Sequence, residues 1–360
     1  MNPSELKLVP LTSKGHVSVA RLTQFWYPVC FARELKKGPL ARRLFGTPLV
    51  LFRDAAGKPA TLLDRCPHRN VPLSLGRVGE QGRLTCRYHG WQFEGSGACG
   101  LVPGLLDRSE AKARRVPSFA TLEQDGLIWV YAMPDQEPRT SPFAFPSFTE
   151  GGYAHVRRAV EAEGTLHATL ENALDVPHTA FLHRGLFRGG EPHKILAHVR
   201  RTPERVEIEY SGEPKPTGLV AQLLSPSGGV VQHWDRFILP SVAQVEYRLG
   251  TENHFLVTAV GSPIDDFHTR LFATASFRTR VPARLLRPIL EPFALRIFGQ
   301  DAAILKAQSA VIREFSGEQF MSTAIDLMGP QMWRLMRQAE RGERAEVEDQ
   351  AILHQVEFLA

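Results

Sequence analysis

Four residues between positions 66 and 89 combine the side chains that bind transition metals with the spacing of short metal-binding loops. Cys66 and His68 are separated by one residue, Cys86 and His89 by two, and seventeen residues lie between the pairs. Two thiolates and two imidazoles bind either one zinc ion or a two-iron cluster. Zinc fingers usually keep their cysteines together and their histidines together, whereas each loop here offers one of each. The spacing therefore favours a [2Fe–2S] cluster, with a structural zinc ribbon as the alternative.

A second group of candidate ligands lies in the segment NALDVPHTAFLH (172–183). Asp175 and His178 are three residues apart, so they share one face of a helix. His183 lies five residues beyond His178 and would face another way on an ideal helix. Because Pro177 should bend or end the helix, both imidazoles can still reach one point. The alternative is two unrelated histidines, one of them buried in the core.

The carboxylate that such a site needs is expected at Asp301. Two histidines and one carboxylate form the facial triad that binds Fe(II) and leaves positions open for O2. Asp301 begins DAAILKAQ on a predicted helix and shares its face with Leu305 and Gln308. A carboxylate on an apolar stripe is costly unless it is paired or bound to metal. Asp265 and Asp266 rank lower because PIDDFHT has the character of a turn, and an exposed helix aspartate is the alternative for Asp301.

Short strands dominate the sequence around the first group. The segments 47–66 and 122–134 are predicted to be hairpins, the second with its turn at Asp125–Gly126. The proline-rich segment 134–148 has no helical period and is the expected domain boundary. These features divide the chain into an N-terminal arm over 1–20, an all-β domain over 21–135 and a second domain over 136–360.

The second domain is predicted to combine helices with a sheet. Leucines at four-residue spacing predict a helix over 160–175, and alternating apolar runs predict an antiparallel sheet over 195–280. A long helix, kinked or interrupted near Pro288 and Pro292, is expected over 283–315, and a short one over 330–343. The predicted fold class is therefore α+β.

Composition limits the classes of protein to consider. The 360 residues are enough for two domains, and 43 Lys+Arg against 38 Asp+Glu leave a net charge of +5. This charge predicts a solvated basic surface, or a basic patch for an acidic electron carrier, and no motif indicates nucleic-acid binding.

No apolar run approaches ~18 residues, so no membrane span is expected, and no secretory signal is visible. Cys30 and Cys99 lie outside the cluster motif and suit a reduced, cytoplasmic setting.

The contexts DRCPHR and YHGW around the first group, together with NALDVPHTAFLH and QDAAILKAQ, resemble the Rieske non-heme iron oxygenases. The resemblance covers nearly the whole chain and is closest to terminal oxygenase α subunits of the α3 type. It implies a Rieske [2Fe–2S] domain followed by a helix-grip (START-like) catalytic domain with a curved antiparallel sheet around an apolar pocket. The residues it assigns are Cys66, His68, Cys86 and His89 for the cluster, His178, His183 and Asp301 for mononuclear Fe(II), and Asn172 and Asp175 as further catalytic residues.

The resemblance also implies an assembly. In this family the active unit is a ring of three subunits. The two metal centres within one subunit are too far apart for fast electron transfer, so electrons pass between neighbouring subunits. Asp175 would then bridge His89 of the partner subunit to His178.

The function implied is that of the terminal oxygenase component of a multicomponent system. O2 and electrons from a separate NAD(P)H-linked reductase, with or without a ferredoxin, would hydroxylate a small hydrophobic aromatic or polycyclic substrate, and O- or N-demethylation is one outcome. No nucleotide-binding fingerprint follows a strand and opens a helix, so the chain itself is expected to bind no nicotinamide or flavin.

Other functions stay open. Within the enzyme class they are cis-dihydroxylation, desaturation and cyclisation. An electron-transfer or redox-sensing iron–sulfur protein is an alternative from another class, and it would need no second iron site. A zinc-stapled binding protein with a lipid-type pocket is a third possibility.

Overall fold

The computed structural model describes residues 16–106, 112–183, 194–212, 231–249, 253–279, 283–343 and 352–359. The chain divides into two compact units, one formed chiefly by Thr23–Phe145 and the other chiefly by Pro146–Gly261 and Asp266–Ala360. The division after Phe145 falls inside the proline-rich segment 134–148. Most of the predicted arm (1–20) lies outside the described residues, and its last five residues have no regular structure.

The first unit is built from strands. In chain order they are β1 (Trp26–Phe31), β2 (Leu40–Leu44), β3 (Thr47–Arg53), β4 (Pro59–Leu63), β5 (Arg77–Val78), β6 (Leu84–Thr85), β7 (Gln92–Phe93), β8 (Cys99–Leu101), β9 (Ser118–Gln124) and β10 (Leu127–Pro134). One sheet has the order β1-β10-β9-β4-β3-β2, and a smaller one has the order β5-β6-β7-β8. The paired strands are antiparallel, as expected for an all-β domain joined by tight turns.

Both predicted hairpins are confirmed, and local chemistry explains each turn. Between β3 and β4 the Asp54 carboxylate accepts hydrogen bonds from the N–H groups of Ala56 and Lys58, each at 2.9 Å. Between β9 and β10 the turn residues Asp125 and Gly126 have φ values of 53° and 68°. Positive φ at both positions matches the type I′ turn, whose twist suits a two-residue hairpin.

Strand β3 contributes to two hydrophobic cores because its side chains alternate between the faces of the sheet. Leu49 and Leu51 belong to the core on one face, and Val50 and Phe52 belong to the core on the other. The second core also contains both cysteines of the predicted cluster. The candidate cluster loops are therefore anchored in a packed interior.

The second unit combines helices with one large sheet. Its elements are α1 (Pro146–Thr149), β11 (Ala154–Ala162), α2 (Leu166–Leu174), α3 (Thr179–Leu182), β12 (Lys194–Arg201), β13 (Arg205–Ser211), β14 (Val231–Ile238), β15 (Val242–Leu249), β16 (Asn253–Asp265), β17 (His268–Arg278), α4 (Ala283–Glu314), α5 (Gly329–Glu340) and β18 (Ile352–Leu359). The strand order is β11-β17-β16-β15-β14-β13-β12-β18. Helix α2 packs against β14, β15 and β17, and α4 packs against β11. The predicted α+β class is confirmed, and none of the described helices has the length and hydropathy of a membrane span.

The helix predicted over 160–175 is wrong at its start. Strand β11 continues to Ala162, and α2 begins only after Thr165, whose side chain accepts a hydrogen bond from the Ala168 N–H at 3.1 Å. This cap satisfies one of the free N–H groups of the first turn, so the helix starts there. The later predicted helices correspond to α4 and α5, and α4 continues through both of its prolines.

Candidate iron–sulfur and mononuclear metal sites

The two loops with the cluster candidates share one backbone hydrogen-bond pattern. In each loop the cysteine N–H donates to the carbonyl five residues later, and the N–H four residues later donates back to the cysteine carbonyl. The four bonds measure between 2.8 and 3.1 Å. The residue four positions after each cysteine is left-handed, with φ of 60° at Asn70 and 70° at Gly90. The loops therefore present Cys66 and Cys86 in equivalent ways, although the histidine spacing differs by one residue.

The four candidate ligands are two buried cysteines and two histidines whose rings lie close to one another. Cys66 and Cys86 are 2% and 3% exposed, and neither forms a disulfide. The rings of His68 and His89 have centroids 4.5 Å apart, and Trp91 stacks on His68 at 4.8 Å. The Nδ1 atom of His68 is buried and has no hydrogen-bond partner among the described residues. A bond from this nitrogen to a metal would remove the unfavourable burial of an unsatisfied polar atom.

The electrostatics of these loops act in opposite directions on the thiol and on the imidazole. Burial raises the pKa of the Cys66 thiol to about 11 and Cys86 adds to the effect, whereas the backbone N–H groups of His68 and Arg69 lower it. A bound metal deprotonates a thiol outright, and hydrogen bonds to the sulfurs tune the potential of iron–sulfur clusters. Burial, then His89 and Arg69, lower the pKa of His68 and so favour the neutral imidazole that binds metal.

In the second unit, a helix break positions the two other histidines. Helix α2 ends at Leu174, Pro177 follows, and the single turn α3 separates His178 from His183. The break at Pro177 is the one that the sequence predicts. It lets two imidazoles that an unbroken helix would hold apart turn towards the same point.

Three ligand atoms converge there. The Nε2 atoms of His178 and His183 are 3.2 Å apart, and the Asp301 Oδ1 atom lies 3.6 Å from the first and 3.1 Å from the second. Ligands about 2.1 Å from one metal ion and roughly at right angles lie about 3 Å apart. Within the described part of the chain, the buried Asp301 Oδ1 atom accepts no hydrogen bond of normal geometry. The group therefore fits a divalent metal ion, and it is the one group of this kind among the described residues.

Each imidazole is also held from its other side. The Nδ1 atom of His178 lies 3.2 Å from the Asp175 carboxylate, and the Nδ1 atom of His183 lies 2.9 Å from the Gln300 side-chain oxygen. Burial lowers the pKa of His178, but the carboxylates of Asp175 and Asp301 overcome this and raise it to about 9. These contacts leave both Nε2 atoms directed to the shared point, as metal-binding histidines require.

The remaining predicted residues are not among the three whose ligand atoms converge. Asn172 lies half-buried in α2, and its side chain forms no hydrogen bond within the described part of the chain. Asp266 is paired with Arg21, at 2.8 and 2.9 Å to its two oxygens, and neither Asp265 nor Asp266 joins the converging group. Gln300 was not predicted from the sequence, although it directly precedes the predicted ligand Asp301.

A second buried pair on the sheet was also missed. Asp235 and His233 on β14 are each 1% exposed, and the His233 Nε2 atom lies 3.0 Å from the Asp235 carboxylate. The rings of Tyr210 and Tyr247, on the two neighbouring strands, stack on either side of His233 at 4.7 and 4.0 Å. The sequence contained a signal for this pair: in the alternating pattern of β14, His233 and Asp235 occupy positions that face the core. A buried charge is costly without a partner, so two such residues are expected to pair with each other.

These features define the class of protein. The Rieske [2Fe-2S] domain family matches residues 25–119, and the vanillate O-demethylase oxygenase C-terminal domain family matches residues 163–342. The second match alone covers half of the 360 residues. The chain therefore belongs to the Rieske non-heme iron oxygenases, which are oxidoreductases with a [2Fe–2S] domain and a separate non-heme iron site.

Curated relatives agree with this family, and a solved structure shares the fold. Over 173 residues (48% of the chain) the sequence is 39% identical to the chloroplastic chlorophyllide a oxygenase of Chlamydomonas reinhardtii, but it spans only 26% of that longer protein. It is 29% identical over 342 residues to the oxygenase component of chloroacetanilide N-alkylformylase from Rhizorhabdus wittichii, covering 87% of the chain and 89% of the relative. Dicamba monooxygenase, solved with non-heme iron and dicamba, has the same fold, with a TM-score of 0.73 at 22% identity, 90% coverage of this chain and 98% of that one.

Proposed function

We propose that this protein is the terminal oxygenase component of a multicomponent Rieske system. One observation carries the proposal: the same chain contains paired Cys–His loops and a separate convergence of His178, His183 and Asp301. The mononuclear iron would supply O2 activation, and the cluster would supply electrons one at a time. An electron carrier or redox sensor needs only the loops, so the second group favours an oxygenase.

The residues of the chain then have distinct roles. Cys66, His68, Cys86 and His89 hold the cluster, and His178, His183 and Asp301 hold the mononuclear iron. Asp175 orients His178 by accepting from its Nδ1–H, which keeps the other nitrogen available to the metal. The catalytic role of Asn172 stays a prediction from the family resemblance.

The proposed reaction is monooxygenation of a hydrophobic aromatic substrate. One oxygen atom of O2 enters a C–H bond, and the other leaves as water after two electrons and two protons are taken up. Where the attacked carbon is a methyl group on oxygen or nitrogen, the hydroxylated product breaks down to formaldehyde and the free alcohol or amine. Demethylation is favoured over cis-dihydroxylation because vanillate O-demethylase names the matched family and an N-alkylformylase is among the relatives.

We also propose the partners and the assembly. Electrons come from a separate NAD(P)H-dependent reductase, directly or through a ferredoxin, since a relative aligned over 87% of the chain is itself called an oxygenase component. Three chains form the active ring, in which Asp175 meets His89 of the partner subunit. Both residues are accessible in the single chain, with a 34% exposed side chain at Asp175 and an exposed His89, which supports this pairing. The cytoplasmic location stays a prediction, because a chloroplast protein is among the relatives.

The test combines metal analysis with spectroscopy on anaerobically prepared protein. We expect about three irons per chain and, after reduction with dithionite, a rhombic EPR signal with average g near about 1.9, as for a His-ligated [2Fe–2S] centre. If the protein contains two irons per chain, and still two after Fe(II) is added back, the mononuclear site is absent. That result would contradict the oxygenase assignment and would favour an electron carrier. Zinc in place of iron, together with the absence of an EPR signal, would contradict both the oxygenase and the electron-carrier assignment.

A variant tests the assignment of the second group. His178→Ala should remove one iron per chain and abolish O2-dependent turnover of methoxy- or N-methyl-arenes, because two ligands hold the metal poorly. The cluster signal should stay unchanged, since His178 lies in the other unit. Loss of the cluster signal in this variant would contradict the assignment of two separate sites.

A further inference from the structure

We propose that Gln300 is a positioning residue for the mononuclear metal site. Its side-chain oxygen holds the Nδ1–H of His183, so that the opposite nitrogen of the same ring is presented to the metal. The inference rests on the proposed function, because it takes His178, His183 and Asp301 as the ligands.

The distances around His183 assign a task to each of its nitrogens. The Nδ1 atom lies 2.9 Å from Gln300 Oε1, while the Nε2 atom lies 3.1 Å from Asp301 Oδ1 and 3.2 Å from His178 Nε2. A neutral imidazole carries one N–H, and a nitrogen that binds metal must offer a lone pair. The proton must therefore stay on Nδ1, where the amide oxygen accepts it. His183 is 2% exposed, so bulk water has little access to take over this role.

His178 and His183 differ in the charge of the group that accepts a hydrogen bond from Nδ1. Asp175 accepts from His178 with a carboxylate, whereas Gln300 accepts from His183 with a neutral amide. A carboxylate partner raises the basicity of a metal-bound imidazole. Gln300 thus orients His183 without adding negative charge to a site that already contains the Asp301 carboxylate.

Helix α4 explains how one element reaches both sides of the imidazole. Consecutive residues of a helix project about 100° apart, so Gln300 and Asp301 diverge. The helix is fixed close to the start of α2: Leu305 is buried, and the Ser309 hydroxyl donates to the Glu163 carbonyl at 2.8 Å. A side chain on Gly164 would approach Leu305 to 3.5 Å and the Thr169 hydroxyl to 2.9 Å. This close packing places the ligand Asp301 and the acceptor Gln300 together.

The experiment measures metal binding, separately from turnover. Mononuclear iron is removed from the holoprotein with a chelator under anaerobic conditions, the cluster absorbance is checked, and Co(II) is titrated with its visible ligand-field bands as the readout. Gln300→Leu keeps the approximate size but removes the acceptor, and we expect roughly 10- to 100-fold weaker Co(II) binding. Gln308→Leu is the matched control, because Gln308 is an exposed glutamine of the same helix, and its Co(II) affinity should equal that of the wild type.

A second variant keeps the inference testable if Gln300→Leu does not fold. Gln300→Glu retains an acceptor oxygen and should bind Co(II) at least as tightly as the wild type. Wild-type affinity in Gln300→Leu, or equally weak binding in Gln300→Glu and Gln300→Leu, would overturn the positioning role. Failure of the proposed function looks different: the wild type would then bind no Co(II), or His178→Ala would bind it as well as the wild type.

Discussion

The Asp175 carboxylate accepts two hydrogen bonds from one residue: the backbone N–H and the ring Nδ1 of His178 each lie 3.2 Å from its Oδ2 atom. Asp175 is also the first residue after α2, with an extended backbone at φ −91° and ψ 108°. The carboxylate therefore holds the turn between α2 and α3 and orients the first candidate iron ligand at once. With 34% of its side chain exposed, it keeps acceptor capacity for a further donor.

Asp175→Asn should retain both metals and slow the transfer of electrons between them. The amide keeps one acceptor oxygen for His178, but it lacks the charge that pairs with a second imidazole N–H. We expect normal iron content and a marked fall in the rate at which the reduced cluster is oxidised, measured by stopped-flow absorbance with substrate and O2 present. Wild-type cluster oxidation in this variant would contradict the bridging role, and loss of iron would show a structural role instead.

Glu246 should make stability depend on pH in the acid range. Burial alone raises its pKa, but the hydrogen bonds from His254 at 2.9 Å and Arg236 at 2.5 Å, with the charge of Arg248, lower it to about 2 from an ordinary 4.5. The unfolded chain therefore binds the proton more tightly than the folded protein does. The ionised carboxylate stabilises the fold above pH 4.5, and this contribution of about 2–3 kcal/mol is lost as the pH falls towards 2.

Urea unfolding of Glu246→Gln and wild type at several pH values measures this contribution. The variant should be less stable at pH 6, and the difference should shrink between pH 4.5 and 2.5. Glu343→Gln is the control, because Glu343 forms an exposed pair with Arg341 and should show a much smaller difference. An equal difference at pH 6 and pH 2.5 would contradict the electrostatic explanation.

Gly97→Ala should destabilise the first unit more than Gly57→Ala. Both glycines lie in hairpin turns with positive φ, 83° and 75°. A Cβ atom on Gly97 would lie 2.0 Å from the Val116 carbonyl oxygen, whereas one on Gly57 would meet nothing within 4 Å. Left-handed backbone costs alanine about 1 kcal/mol, which is the loss expected for Gly57→Ala.

For Gly97→Ala we expect the free energy of unfolding to fall by an amount on the order of 2–4 kcal/mol. The clash of the new Cβ atom adds to the cost of the left-handed backbone. Thermal loss of the cluster absorbance, followed in both variants under the same conditions, makes the comparison. Equal midpoints would show that the chain around Val116 adapts without cost.

Local features of the fold were predictable because neighbouring residues set them. The turn at Asp125–Gly126 needs two residues that tolerate positive φ, and the break at Pro177 follows from a missing N–H donor. The start of α2 was predicted too early because the leucine spacing over 166–174 was extended into a segment that pairs with β17. The pairing of β11 with β17 joins residues more than a hundred positions apart, so the local spacing of apolar residues cannot predict it.

The sequence by itself determined the kinds of ligand and the short loops that present them: two Cys–His pairs, and two histidines on either side of a single helical turn. The sequence also favoured Asp301 over Asp265 and Asp266, but only the tertiary structure brings its carboxylate to those histidines and places Gln300 on the far side of His183. The physical reason is the range of the interactions. Spacing along the chain encodes local backbone geometry and burial, whereas the convergence of α3 and α4 depends on how elements more than a hundred residues apart pack.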